Sequence, residues 1–255
     1  MRQAVSSTLI LAVFLALWQV LHLAVGAAVP GPGETLVRMR DLAATSAFWG
    51  HCAETGQAFL LAVILSIVGG LALGLLLGSR RLAGDVFEPI LLNLYALPKV
   101  TLYPVVLLVF GLGMSAKVAF GVMHGMIPLA LFTMNAILQT RPVYLRTARV
   151  MRLTPWQSVR TVILPAIVPE VMSGVQIAVS LALLGVLIGE LFASQRGLGF
   201  LARHAMELGD MPTVLAVAAY LIVFALTLNA ALRRLATISP RSFRRGRGAV
   251  SAAQG

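Results

Sequence analysis

Apolar residues fill most of the chain, and the places where they stop define its elements. The first run, Ser7 to Ala28, is long enough to cross about 30 Å of hydrocarbon as a helix. Pro30-Gly31-Pro32-Gly33 breaks it. A polar segment follows to Glu54, with a short amphipathic stretch near Leu36 to Ala44. Gly56 to Gly78 is the second run. Its Gly70, Gly74 and Gly78 recur at every fourth position, a spacing that lets helix backbones approach closely in lipid. The third run, 90–113, contains Pro98, Lys99 and Pro104 and follows Pro89. Proline removes a helical hydrogen bond, so this span is predicted to be kinked or broken. The fourth run, 118–138, carries Gly121, Gly125 and Pro128; the fifth, 166–188, follows Pro165. Glu190 to Asp210 reads as a polar loop, and 211–232 is the sixth run. The pattern predicts an all-α transmembrane protein of about six spans over residues 1–240. A basic tail, 241–255, is expected to be disordered.

One stretch departs from this pattern. Arg141 to Pro169 is polar and basic, with Arg141, Arg146, Arg149, Arg152 and Arg160 and no acid before Glu170. Arg146, Arg149 and Arg152 share one helical stripe, and Leu145, Ala148 and Met151 form another beside it. Trp156, Val159, Val162, Ile163 and Leu164 continue the apolar side to Pro165. This predicts a short amphipathic helix or helix pair on a membrane surface, re-entering the bilayer near Pro165. The alternative is a basic loop whose arginines only touch lipid phosphates.

Composition agrees with a membrane protein: 11% of the 255 residues are charged, mean hydropathy is +0.91, and a soluble domain carries about 25% charged residues. The net charge of +11 comes from short loops and the tail, with no aromatic-interleaved basic patch, which argues against nucleic acid as a partner. Six spans bring both termini to one side. Fourteen basic residues then lie on that side, the loop 141–165 included, and five on the other. The excess predicts that the termini and the loop are cytoplasmic. The first run, with Arg2 before it and Gly26-Ala27-Ala28 near its end, also fits a secretory signal; Trp18, Gln19 and His22 inside it favour a retained helix. A single cysteine, Cys52, excludes an intrachain disulfide and a cysteine metal cluster.

Chemistry has little foothold. Neither Lys99 nor Lys117 is followed by Ser or Thr, so there is no P-loop. His22, His51, His124 and His204 lack metal-ligand spacing, and there is no Gly-x-Ser-x-Gly elbow. No catalytic residue and no metal or other cofactor is expected on this chain. Polar residues inside spans are costly in hydrocarbon and face a cavity or another helix. Ser173, Gln176 and Ser180 fall near one face of the fifth span, with Glu170 a turn before and Glu190 at its far end. With Asn135 on the fourth span, they are candidates to line a translocation path, or else to bond helix to helix.

The run from Arg146 to Pro165 resembles the EAA loop of ATP-binding-cassette importer permeases. Ala148, Trp156, Gln157, Val159 and Ile163-Leu164-Pro165 fit that pattern. Arg146 stands where the family has Glu, Thr147 where it has Ala, and Arg152 where it has Gly. Elsewhere the chain is similar to sulfonate-, nitrate- and taurine-type permeases in Val29-Pro30-Gly31-Pro32, Leu97-Pro98-Lys99, Phe110-Gly111-Leu112-Gly113, Glu190, Gly197-Leu198-Gly199 and Leu228-Asn229. The resemblance implies a permease subunit of a bacterial inner membrane. Its loop would be a coupling helix, with Arg146, Ala148, Arg149, Met151, Arg152, Trp156 and Pro165 meeting a cytoplasmic ATPase that holds the ATP. It further implies a second permease copy or paralogue, an extracytoplasmic solute-binding protein, and a small, sulfonate-, nitrate- or taurine-like solute. The rival expectations are a proton-coupled secondary transporter and a non-transporting scaffold that recruits a partner through the loop; membrane lipid is a partner on every reading.

Overall fold

A computed structural model describes residues 2–140 and 142–238, so Arg141 and the tail 241–255 lie outside the described residues. The described chain is all-α, with no strand. Its elements are α1 (Arg2–Val25), α2 (Pro32–Ala43), α3 (Ser46–Gly78), α4 (Arg81–Ala96), α5 (Tyr103–Phe110), α6 (Met114–Leu138), α7 (Pro142–Val150), α8 (Pro155–Ser158), α9 (Leu164–Ala193), α10 (Leu198–Glu207) and α11 (Met211–Ile238). Four segments are long and apolar enough to cross a membrane: α3, α6, Trp156–Phe192 and Met211–Arg234. The predicted break in the third span is present, since α4 and the segment Lys99–Phe110 meet at 86° around Pro98. α1 adds a further apolar helix, described as such over Ala12–Val25. Two of its polar side chains hold the turn that follows: Trp18 Nε1 donates to the Pro30 carbonyl at 3.0 Å, and His22 Nδ1 lies 2.8 Å from the Val29 carbonyl.

The core is the sandwich of α6 between α3 and α9. Helices in lipid gain little from the hydrophobic effect and pack instead through small residues that admit close contact. Gly74 shows why: a Cβ there would lie 2.5 Å from Thr133 Cβ and 2.7 Å from the Ala130 carbonyl of α6. Gly70 and Gly78 ride on the same face of α6, one turn to either side. Near the start of α6, Phe120 packs against Tyr103 of α5 with ring centroids 5.0 Å apart. α11 joins the core through the Ser180 hydroxyl of α9, which donates to Asn229 Oδ1 at 3.2 Å.

The helices overrun their apolar runs. α3 begins at Ser46, where the Thr45 side chain accepts from the Phe48 N–H, so His51, Glu54 and Thr55 lie in the helix. α6 includes Lys117, α9 extends through Glu190 to Ala193, and the segment 190–210, read from its polarity as a loop, contains α10. The reason is common to all of them: these polar groups bond to each other instead of to water.

Candidate functional site

Where α3, α6 and α9 end together, their terminal polar residues meet in a buried cluster. Lys117 and Glu190 are each 0% exposed. The Lys117 ammonium donates to Glu54 Oε1 at 2.9 Å and to the Arg196 carbonyl at 3.0 Å, and stands 3.7 Å from Glu190 Oε1. Thr55 donates its hydroxyl to the Glu190 carboxylate at 2.9 Å and accepts the Leu198 N–H at 2.8 Å. Glu190 also accepts the Gly199 N–H at 2.9 Å, and His51 Nδ1 accepts the Gly197 N–H at 3.1 Å. The Gly-Leu-Gly segment thus drapes its backbone over a carboxylate. Gly197 takes φ 113°, and a Cβ there would fall onto Glu190, so only glycine closes the turn. A buried ion costs several kcal/mol to desolvate, which only complete pairing of this kind offsets. Glu190 is thus enclosed in this protomer, and it anchors the start of α10. Sequence reasoning singled out Glu190 but passed over Lys117, Glu54 and Thr55. The available signal was opposite charges at span ends that an alternating topology brings to one side.

The same end carries α2, tied across the molecule by Arg38, whose guanidinium donates to Asp210 Oδ2 at 2.9 Å and to Thr213 Oγ1 at 2.7 Å. Burial acts to raise the Asp210 carboxyl, but the Thr213 hydroxyl and N–H together with Arg38 outweigh it and hold it below its ordinary value.

The loop lies at the opposite end. α7 finishes with the Leu153 N–H on the Ala148 carbonyl at 3.0 Å and Arg152 at φ 54°. This is a Schellman turn with arginine at the position glycine usually fills. For a side chain to sit in the left-handed region costs roughly 1–2 kcal/mol. Ala148 is buried beneath the turn. α8 then starts with a reciprocal cap: the Thr154 N–H donates to Gln157 Oε1 at 2.9 Å, and Thr154 Oγ1 accepts the Gln157 N–H at 3.3 Å. Pro155 occupies the first helical position, where no N–H is needed. A π turn at Val159–Ile163 leads into α9, with the Leu164 N–H reaching back to the Val159 carbonyl just before Pro165, which has no N–H to donate. The helix pair presents Val150 at 83%, Met151 at 64% and Trp156 at 71% exposure, beside exposed Arg146 and Arg152. Pro165 is also exposed; Arg149 lies in α7, and its side chain is outside the described ones.

The other candidates do not converge. Glu170 and Ser173 are exposed near the loop end of α9, and the Ser173 hydroxyl donates to the Pro169 carbonyl. Gln176 and Asn135 are half-buried, and Ser180 bonds to Asn229. These groups lie along α9 and α6 well away from the Glu190 cluster, and two of the hydroxyls satisfy backbone or neighbouring helix. Among the described residues no group of three or more His, Cys, Asp or Glu is placed to hold a metal.

The described residues thus form an apolar helical bundle with one span broken at Pro98 and a capped helix pair at one end. The chain belongs to the family of binding-protein-dependent transport system inner membrane components, whose sequence model matches residues 68–245. It is 32% identical, over 77% of its own length and 80% of the relative's, to a probable ABC transporter permease protein of Haemophilus influenzae. It is 28% identical to the formylaminopyrimidine transport permease protein ThiX of Halalkalibacterium halodurans, over 92% of this chain and 95% of that one. It is 26% identical to the taurine transport system permease protein TauC of Escherichia coli, over 92% and 88%. The fold matches a chain of the inward-facing MetNI methionine ABC transporter with a TM-score of 0.64 at 19% identity, covering 76% of this chain and 97% of that one.

Proposed function

We propose that this chain forms the membrane pathway of an importer driven by ATP hydrolysis on a separate cytoplasmic subunit, which docks on the loop 141–165. The observation that carries this reading is the capped helix pair, Ala148 to Gln157, projecting apolar and basic side chains from one end of a bundle in a permease family. A second copy or a paralogue completes the pathway, and a solute-binding protein delivers from the other side. The loop and both termini face the cytoplasm, as the fourteen-to-five excess of basic residues favours. The solute is small and polar. Taurine and alkanesulfonates are the first to test, since relatives named for them match at 26% identity; formylaminopyrimidine is the alternative, favoured by a 28% match over nearly the whole chain.

The experiment is uptake into proteoliposomes. Permease with its ATPase and binding protein should accumulate solute only when ATP is supplied on the side bearing the loop and the C-terminus. Permease alone should accumulate none. Uptake by permease alone under a pH gradient would overturn the reading in favour of a secondary transporter.

A further inference from the structure

Among the described residues, Arg152 is the single non-glycine with a left-handed backbone; the other five such positions are Gly26, Gly111, Gly113, Gly197 and Gly209. Glycine would make the turn after α7 without strain, so the turn itself does not call for arginine. Arg152 is exposed, and no carboxylate among the described residues pairs with its guanidinium. A strained conformation that the fold does not require points to a role for the side chain it displays.

We infer that Arg152 is a recognition residue, held in a strained turn so that its guanidinium meets a carboxylate in an acidic groove of the ATP-binding subunit. This rests on the reading that the loop docks that subunit, and goes beyond it by naming the residue that selects the partner and the chemistry it selects. Two observations favour a protein carboxylate over a lipid headgroup. A lipid surface attracts any nearby arginine through a diffuse field, so an arginine on a relaxed helix would serve as well. The left-handed backbone sets the direction in which the side chain leaves the turn, and the planar guanidinium at its end suits two-pronged pairing with a carboxylate. In addition, Val150, Met151 and Trp156 stand exposed beside it. Aromatic, methionine and arginine side chains together are the composition of protein interface cores, where excluded water strengthens an ion pair. Arg146, also exposed, adds positive field within a Debye length of about 8 Å.

The test uses full-length permease in nanodiscs and the ATPase that copurifies with the wild-type chain. Arg152→Gly should melt at or above the wild-type temperature, because strain is relieved, yet bind the ATPase about tenfold or more weakly at low salt. Arg152→Asn, which also tolerates the left-handed region, should behave in the same way. Arg152→Lys should fall between, keeping the charge without the fork. Added salt should narrow the gap between wild type and Arg152→Gly. Equal ATPase binding by Arg152→Gly and wild type would overturn the inference while leaving docking intact. Loss of binding together with a lower melting temperature would also overturn it, by assigning Arg152 to the fold. Weaker attachment only to nanodiscs rich in phosphatidylglycerol, with ATPase affinity unchanged, would give Arg152 to lipid. Failure of the wild-type chain to retain any ATPase would remove the docking reading itself, and the inference with it.

Discussion

Lys117 sits between two carboxylates with no surface of its own, and the balance of energies there is lopsided. Replacing a whole buried ion pair with neutral groups is close to neutral, whereas removing one partner leaves an uncompensated buried charge and costs about 3–5 kcal/mol. Lys117→Met should therefore lower the melting temperature of the detergent-purified protein sharply. The double variant Lys117→Met/Glu190→Gln should recover much of the loss, because the amide oxygen of the introduced glutamine still accepts from Thr55 and Gly199. A double variant no more stable than the single one would show that the ammonium acts on Glu54 or the Arg196 carbonyl and not on Glu190. Sequence alone placed Glu190 at the far end of the fifth span, beside a polar loop; it gave no view of Gly197 and Gly199 as donors, because a backbone N–H has no signature in composition.

At the scale of elements, α2 depends on side-chain bonds made far along the chain. Arg38 holds Asp210, and Tyr220 of α11 donates its hydroxyl to the Met39 carbonyl at 2.9 Å. The Asp210 carboxyl lies below its ordinary value of 3.8 in the folded protein. Its contribution is thus fully present above that value and is lost as the pH falls through the lower, folded one. Both side chains are about a third or more exposed, so solvent screening limits the pair to roughly 0.2–1 kcal/mol. Amide protection of 32–43, corrected for intrinsic exchange, should hold from neutral pH to about 4 and fall below it. Asp210→Asn should show the reduced protection at every pH, and protection independent of pH in the wild type would exclude the tether. The sequence located the apolar centres of the four long spans and the break at Pro98, since lipid leaves little choice of residue there. It misplaced the ends, because Glu54, Lys117 and Glu190 look like loop residues until their partners on other helices are known. Thr154-Pro155-Trp156-Gln157 carries a local helix-start signal that the sequence reading left unused.

Over the whole molecule, the ionised groups of the buried cluster come from three spans far apart in the chain, Glu54 on α3, Lys117 on α6 and Glu190 on α9. A ribosome delivers these in order, so the chain acquires its debts before the means to settle them. Glu54 reaches the bilayer with no cation beside it. Lys117 follows more than sixty residues later, and the Gly-Leu-Gly backbone that covers Glu190 comes last of all. A nascent chain halted before residue 190 then holds α3 and α6 with a polar end open to water, and one halted beyond residue 210 holds it sealed. Protease digestion of such stalled chains in membrane vesicles should cleave near Glu54 in the shorter and spare it in the longer. Equal cleavage in both would mean that α3 and α6 close the end without α9. Synthesis order thus makes the last third of the chain the step at which the first third becomes stable.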